Sequence, residues 1–472
     1  MIAKLNNSLN PISPKDITTS IILVLLSLLV LPFSIFGIFI IVLLLLVSKY
    51  GEKAILLIAL VCMIAATGPA IEKFRFTFSF LSILYVFYFF IKEKGLDIKK
   101  YRKPPIELII LILFIVSAIL ITSFISGLQS QSILALLRTV IFFIICYSLF
   151  SLLEKKELLK IYFSSLILAS LIISITVYYD MINAGLTLYI VQGVLARYAG
   201  IYGNPNYVGL LLSITTLFLF VSLFSNKLNS VSKKIAVWII LASNILAILI
   251  TNSRSAIIGT IISLCFILYH LNKKLLQKIL VSLVFITIIL INLPFVQDFF
   301  NAFIRLETVS ERSISWEIGW DIMMDNFLFG IGPENYESKV FTYVPSSTWQ
   351  YFEVDTSIFK VHPHNYFLLM ITENGILGLI LSLLIFYVLF RLSWRVMKIT
   401  KNYKHEEYLI SLSIYSIGIV LFIRAFFEVD GIFSYGFITR DLPFWICFVV
   451  LAHLNVMQNH DIQIINRSKN LE

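Results

Sequence analysis

The sequence predicts an all-α integral membrane protein with about 12–14 transmembrane helices and one large outer loop. Three observations predict it. Of the 472 residues, 59% are hydrophobic and 14% are charged, and mean hydropathy is +0.93. A soluble domain would be roughly half apolar and about a quarter charged. Apolar runs long enough for a bilayer core of about 30 Å recur along nearly the whole chain. Basic residues gather in alternate connections between those runs. Together these features exclude a soluble globular enzyme, a disordered chain and a nucleic-acid-binding module. The net charge of +10 is therefore a topology signal before it is a ligand signal.

The runs fall at 18–33, 35–49, 54–69, 76–92, 106–126, 136–153, 160–179, 206–225, 235–251, 254–270, 277–294, 365–391, 408–428 and 438–456. The first two are short and meet at Pro32, so they form a hairpin or one long span. The start does not read as a cleaved signal peptide, because its apolar stretch is too long and no small-residue cleavage site follows. The chain divides into N-terminal spans (1–190), central spans (191–294), a large outer loop (295–363), and C-terminal spans with a tail (364–472). Cys62, Cys146, Cys265 and Cys447 all sit in apolar runs without metal-ligand spacing, so they are expected to be packing residues.

Charge sets the expected orientation. One set of alternate loops holds 26 of the 37 basic residues, from Lys4 and Lys15 to Arg467 and Lys469. This side is expected to be cytoplasmic, with both termini inside. The two sides also differ in kind. Of those 26, 22 are Lys, whereas eight of the other 11 are Arg: Arg75, Arg138, Arg197, Arg254, Arg305, Arg312, Arg424 and Arg440. Topology needs only charge. Arginine adds a rigid fork that grips a phosphate through two parallel hydrogen bonds. An arginine-rich outer side points to an anionic ligand there, although helix-end snorkelling and local ion pairs account for some of the eight. Arg424 and Glu428, four residues apart, read as one such local pair.

Most connections are short, and the two long ones, 180–205 and 295–363, are both expected outside. In the second, Trp316, Trp320, Met323 and Phe327 recur at helical spacing, with Glu317, Asp321 and Asp325 on another face. This predicts an amphipathic helix, with Ser310 as N-cap and Gly330-Ile331-Gly332-Pro333 as its stop. Arg312 falls in its first turn, where guanidinium and helix dipole can face one anion. The competing reading pairs it with Glu311 or Glu334.

Four outer segments carry residues suited to chemistry. Arg197 to Asn206 form an irregular turn shaped by Gly200, Gly203 and Pro205, with Asn204 and Asn206 suited to sugar hydroxyls, or with Asn206 simply starting the next helix. Thr251-Asn252-Ser253-Arg254-Ser255 joins two spans with almost no loop, which forces Arg254 to the membrane boundary, where a charge needs a partner or a ligand. The third is the Arg312 helix with its stop. The fourth, His362-Pro363-His364-Asn365-Tyr366, is followed by Thr372-Glu373-Asn374-Gly375-Ile376-Leu377-Gly378. His364 could serve as a general base or as a helix-capping residue. Metal ligation by His362 and His364 is disfavoured, because no Cys and no nearby acid–His partner completes a site.

In this order, around one large outer loop, these segments resemble the O-antigen ligase and polymerase family of bacterial surface-polysaccharide assembly. The resemblance is strongest over about residues 195–390. It implies a glycosyltransferase that needs no metal or cofactor and takes its glycan from undecaprenyl diphosphate. The acceptor would be a sugar hydroxyl, on another lipid-linked repeat for a polymerase, which is slightly favoured, or on lipid A core for a ligase. It implies a multi-pass protein of the inner (cytoplasmic) membrane with its active site facing outward. The implied partners are the bilayer, a flippase and a chain-length regulator, and no nucleic acid. His364, Arg312 and Arg254 are the implied catalytic residues, with His364 either the base for the incoming hydroxyl or a cationic ligand of the diphosphate. Arg197, Asn204, Asn206 and Asn365 are candidates for substrate binding, with Tyr202 and Trp316 for stacking on sugar. Glu373 is expected to be structural. A transporter of lipid-linked oligosaccharide is the main alternative, but the expected repeat symmetry and midplane charges are not evident.

Overall fold

The computed structural model describes residues 52–65, 72–95, 102–187, 189–190, 194–228, 230–290, 297, 309–343, 362–402 and 404–469. Among these the helices are α1 (Glu52–Ala65), α2 (Glu72–Lys94), α3 (Ile106–Ile125), α4 (Ser130–Leu152), α5 (Lys156–Asn183), α6 (Pro205–Ser222), α7 (Val231–Thr251), α8 (Arg254–Leu271), α9 (Lys273–Leu290), α10 (Val309–Asp325), α11 (Tyr336–Tyr343), α12 (Tyr366–Thr400), α13 (His405–Ala425) and α14 (Ile438–Lys469). Between α5 and α6, β1 (Tyr189–Ile190) and β2 (Val194–Leu195) make a two-residue antiparallel ladder. The all-α architecture expected from the sequence is borne out. Among the described residues, α3 to α8 and α12 to α14 are the nine helices long and apolar enough to cross a membrane. The shorter or more charged α1, α2 and α9 coincide with three more of the expected runs. The expected runs at 18–33 and 35–49 lie outside the described residues.

These stretches form helices because a helix satisfies every backbone N–H and C=O within the segment, which lipid demands. Their depth in the bundle differs. α14 is central: 89% of its apolar window is buried, and Phe444, Trp445 and Phe448 pack against α4 and α12. α7 is peripheral, with 28% buried and Ile235, Trp238 and Ile239 facing outward, where acyl chains would cover them. Small residues allow close helix contacts. Gly259 of α8 lies against the Val420 backbone of α13, and a Cβ there would come within 3.2 Å of it.

The basic residues separate as their sequence grouping predicts. At one end, Lys53, Lys92, Lys94 and Lys155 pair with Glu157, Glu52, Glu154 and Glu93 across α1, α2 and the α4–α5 connection. At the other end, Arg138 pairs with Glu334 and Arg440 with Asp430. The starts of α6, α8, α12 and α14 meet at this arginine end.

The expected amphipathic loop helix is α10. It spans Val309–Asp325, with Ser310 in its first turn. Its buried face is turned. Ile318 and Ile322 pack with Ile331, Tyr336 and Val340 in a small separate core, while Trp316 and Trp320 are exposed.

Candidate active site

The arginine end is organised by a break in α12. Gly375 has φ +60° and ψ −152°, a conformation essentially reserved for glycine. The turn after α10 docks on this break through three backbone hydrogen bonds: Ile331 N to Thr372 O (3.0 Å), Gly332 N to Glu373 O (2.9 Å) and Ile376 N to Phe327 O (2.9 Å). The approach is tight. A Cβ on Gly330 would stand 2.4 Å from the Glu373 carbonyl, and one on Gly375 would stand 2.3 Å from the Leu328 oxygen. Gly330 and Gly375, one from each motif, thus serve one contact. Glu373, expected to be structural, holds it from below. Its carboxylate accepts hydrogen bonds from Tyr336 N (3.2 Å) and from the Tyr435 hydroxyl (2.5 Å).

His364 lies just ahead of α12 with φ +45°. Asn365 is the helix cap, its side chain accepting a hydrogen bond from Leu368 N at 3.0 Å. His364 Nδ1 is 3.6 Å from Glu428 Oε2; the Glu428 side chain is 7% exposed and that of His364 is 41% exposed. That separation is longer than a hydrogen bond, and Nδ1 is buried without a hydrogen-bond partner. His362 Nε2 is 3.2 Å from Glu337 Oε1. Burial holds the His362 imidazole below its ordinary pKa, against the pull of Asp430 and Glu337. Each histidine therefore has its own carboxylate. Among the described residues, no three His, Cys, Asp or Glu side chains gather as metal ligands.

Glu428 and Asp430 sit on the α13–α14 connection. Asp441 fixes that connection by accepting Ser434 N at 2.8 Å and Gly436 N at 3.0 Å. Arg440 pairs with Asp430 at 3.0 Å. The guanidinium groups of Arg440 and Arg138 lie 5.2 and 3.9 Å from the Phe437 ring centre. Arg138 pairs with Glu334, whose pKa burial nonetheless raises.

The Arg197 segment is held from α5, where Asp180 accepts Ala199 N at 3.2 Å and Gly200 N at 3.1 Å. Arg197 donates to the Asn206 side-chain oxygen. The cap of α6 is Asn204 and not Asn206: its side chain accepts Asn206 N (3.0 Å) and Tyr207 N (3.4 Å). Asn206 is buried and orients Arg197. Tyr202 is buried against Tyr207, ring centres 5.8 Å apart.

Arg254 is the first residue of α8 and half-buried, at the boundary where the near-absence of a loop predicted it. Arg312 lies in the first turn of α10, and its side chain is outside the described residues. Trp316 lines an apolar groove of about 510 Å³ with Trp320, Met323, Phe367, Leu368, Phe422 and Phe426, and Asn365 is at its edge. That is a hydrocarbon-like surface, which puts Trp316 in poor surroundings for a sugar.

Sequence reasoning missed Glu428 as a partner of His364, together with Glu337, Asp430 and Asp441. Asp441 had one usable signal, a carboxylate inside an apolar run. The others lie far along the chain from the groups they face.

The O-antigen ligase family model matches residues 235–383, a range that contains Arg254, Arg312, His364 and Asn365. The exopolysaccharide production protein ExoQ of Rhizobium meliloti (strain 1021) is 26% identical over 135 residues, spanning 29% of this chain and 29% of that protein. Residues 235–383 are thus similar to the O-antigen ligase family, within a chain whose described helices are long and apolar enough to cross a membrane.

Proposed function

We propose that this protein transfers a glycan from undecaprenyl diphosphate to a sugar hydroxyl at the outer leaflet of the cytoplasmic membrane, most simply as a surface-polysaccharide polymerase. The observation that carries this reading is His364, accessible and 3.6 Å from a nearly buried Glu428 carboxylate, at the same bundle end as Arg254. Nε2 of His364 takes the proton of the acceptor hydroxyl. The oxygen attacks the anomeric carbon as its bond to the diphosphate breaks, and the electron pair leaves with the diphosphate. Attack opposite the leaving group inverts the anomeric centre. Arg254 and Arg312 neutralise the departing charge, a role that needs preorganised cations and no metal. The polyprenyl chain lies along the apolar groove of Trp316, Phe367 and Phe426. Exopolysaccharide production by the relative fits polymerisation better than ligation to lipid A core. The lysine end faces the cytoplasm, as alternate-loop charge dictates, with both termini there. A flippase would supply the donor, and a chain-length regulator would act on the product.

The test is a deletion strain complemented with wild type or with the His364→Ala variant at matched membrane abundance, with surface glycan and lipid-linked intermediates resolved on gels. A polymerase predicts that the variant accumulates single lipid-linked repeats. Accumulated long lipid-linked polymer would indicate a ligase. Full rescue by His364→Ala would overturn the catalytic reading and leave transport as the next candidate.

A further inference from the structure

Helix α8 starts at a cluster of buried donors that nothing in the proposed mechanism uses. Arg424, near the end of α13, is 1% exposed and reaches this start, its Nη1 donating to Ser255 Oγ at 3.3 Å. Its Nε and Nη2 are buried without hydrogen-bond partners, as are Asn252 Nδ2 and Ser253 Oγ. Ser253 is the residue ahead of the helix and makes no side-chain cap bond, and Asn252 turns the chain in the left-handed region at φ +49°. The position is sterically fixed: Gly209 of α6 packs so closely that a Cβ there would stand 3.0 Å from that of Ser253.

A buried guanidinium with two idle donors costs several kinds of solvation at once, and such groups in native proteins have partners. One water molecule accepts only two hydrogen bonds, too few for this set. A phosphate oxygen cluster accepts many, carries the charge a guanidinium needs, and suits the positive end of an 18-residue helix. Glu428 and Asp430 also act on Arg424. Asp430 is engaged by Arg440, however, and Glu428 faces His364 on its other side. Glu428 thus lies between the donor cluster and the base.

We infer that Arg424, Asn252, Ser253 and the first turn of α8 form a phosphate-type anion pocket beside His364. It would hold the diphosphate of the lipid-linked donor. This inference rests on the proposed function for the identity of its natural ligand, but the pocket itself is tested without it. Arg424, which the sequence suggests is only the local partner of Glu428, becomes a ligand-binding residue.

The experiment uses the full chain in lipid nanodiscs, titrated with inorganic pyrophosphate and, separately, with farnesyl diphosphate at fixed salt. Wild type is expected to bind both, with farnesyl diphosphate tighter because its chain enters the neighbouring groove. Asn252→Gly keeps the left-handed turn and loses one donor, and should weaken both ligands several-fold. Arg424→Lys keeps the charge and loses the fork, and should weaken them about 10-fold or more, the scale of a lost charged hydrogen bond. Arg424→Gln should weaken them further. If Arg424→Gln does not fold, the other two variants decide. Affinities in Asn252→Gly and Arg424→Lys within twofold of wild type, or no binding by wild type, would overturn the pocket. Variant-sensitive pyrophosphate binding in a protein whose deletion leaves surface glycan intact would support the pocket and sink the proposed function. Loss of glycan on deletion, with binding blind to these variants, would do the reverse.

Discussion

At one end of the bundle, lysines meet carboxylates at the protein surface; at the other, arginines reach inward. Lys53 and Glu157 have side chains 52% and 69% exposed, whereas Arg138 and Glu334 are 31% and 19%, and Arg440 and Asp430 are 32% and 17%; the lysine end has deeper groups too, with Lys94 at 14% and the Arg395–Glu107 pair at 33% and 20%. Arg424 is almost wholly buried. Exposed pairs are worth little, and their lysines need only supply charge for orientation. Burying arginine beside carboxylates is expensive and rarely the stablest solution, so it persists where charge is needed at a chosen place. The difference separates a topological device from a candidate site, although both ends are basic.

The sharpest way to break this contrast is to mutate one residue at each end. His364→Ala should lower glycan transfer by a factor of about 10²–10⁴, the usual contribution of a positioned base, while Lys94→Ala should leave it unchanged. Transfer rates at matched abundance check both. Next in size is the docking of the α10 turn on the break in α12. Gly375→Ala must hold alanine in a glycine-only conformation against the Leu328 oxygen. It should cost about 1–3 kcal/mol, seen as a lower unfolding temperature in detergent. Glu428→Gln should reduce kcat on the order of 10-fold with KM little changed, because the carboxylate orients His364 and does not touch substrate.

A smaller effect separates the ends by pH. His362 has its pKa depressed in the folded protein by burial, with Asp430, Glu337, Arg440 and His364 as its charged neighbours. The unfolded chain therefore binds a proton that the folded chain resists. The stabilising contribution is complete above the ordinary imidazole pKa of about 6.5 and is lost as pH falls below it. Unfolding temperature should drop on acidification through that range, and His362→Gln should flatten the drop. Smallest of all, Lys53→Ala should leave both stability and transfer unchanged within error.

Much of this contrast was legible in the sequence. Hydropathy and alternate-loop charge depend on composition alone, so the spans and the two basic ends could be read directly. The near-absence of a loop around Arg254 fixed it at a helix start, and the glycine motifs marked two turns. That those turns dock on each other was not visible, because Gly330 and Gly375 are joined by backbone contacts between distant segments. The same limit hid Glu428 from His364. Asn204 caps α6 and Asn206 meets Arg197, a division the sequence does not show because both asparagines suit a helix start and only geometry tells which oxygen caps. Tyr202 and Trp316 were read by residue type as sugar platforms, but burial and an apolar groove give them other surroundings.

The central claim is that the arginine end carries the chemistry. Its most direct test is transfer by the purified full chain in nanodiscs, supplied with a radiolabelled undecaprenyl-diphosphate-linked repeat. Wild type and Lys94→Ala should convert it to longer products at equal rates, and His364→Ala and Arg254→Ala should each be slower by a factor of about 10² or more. Equal rates in all four proteins would contradict the account.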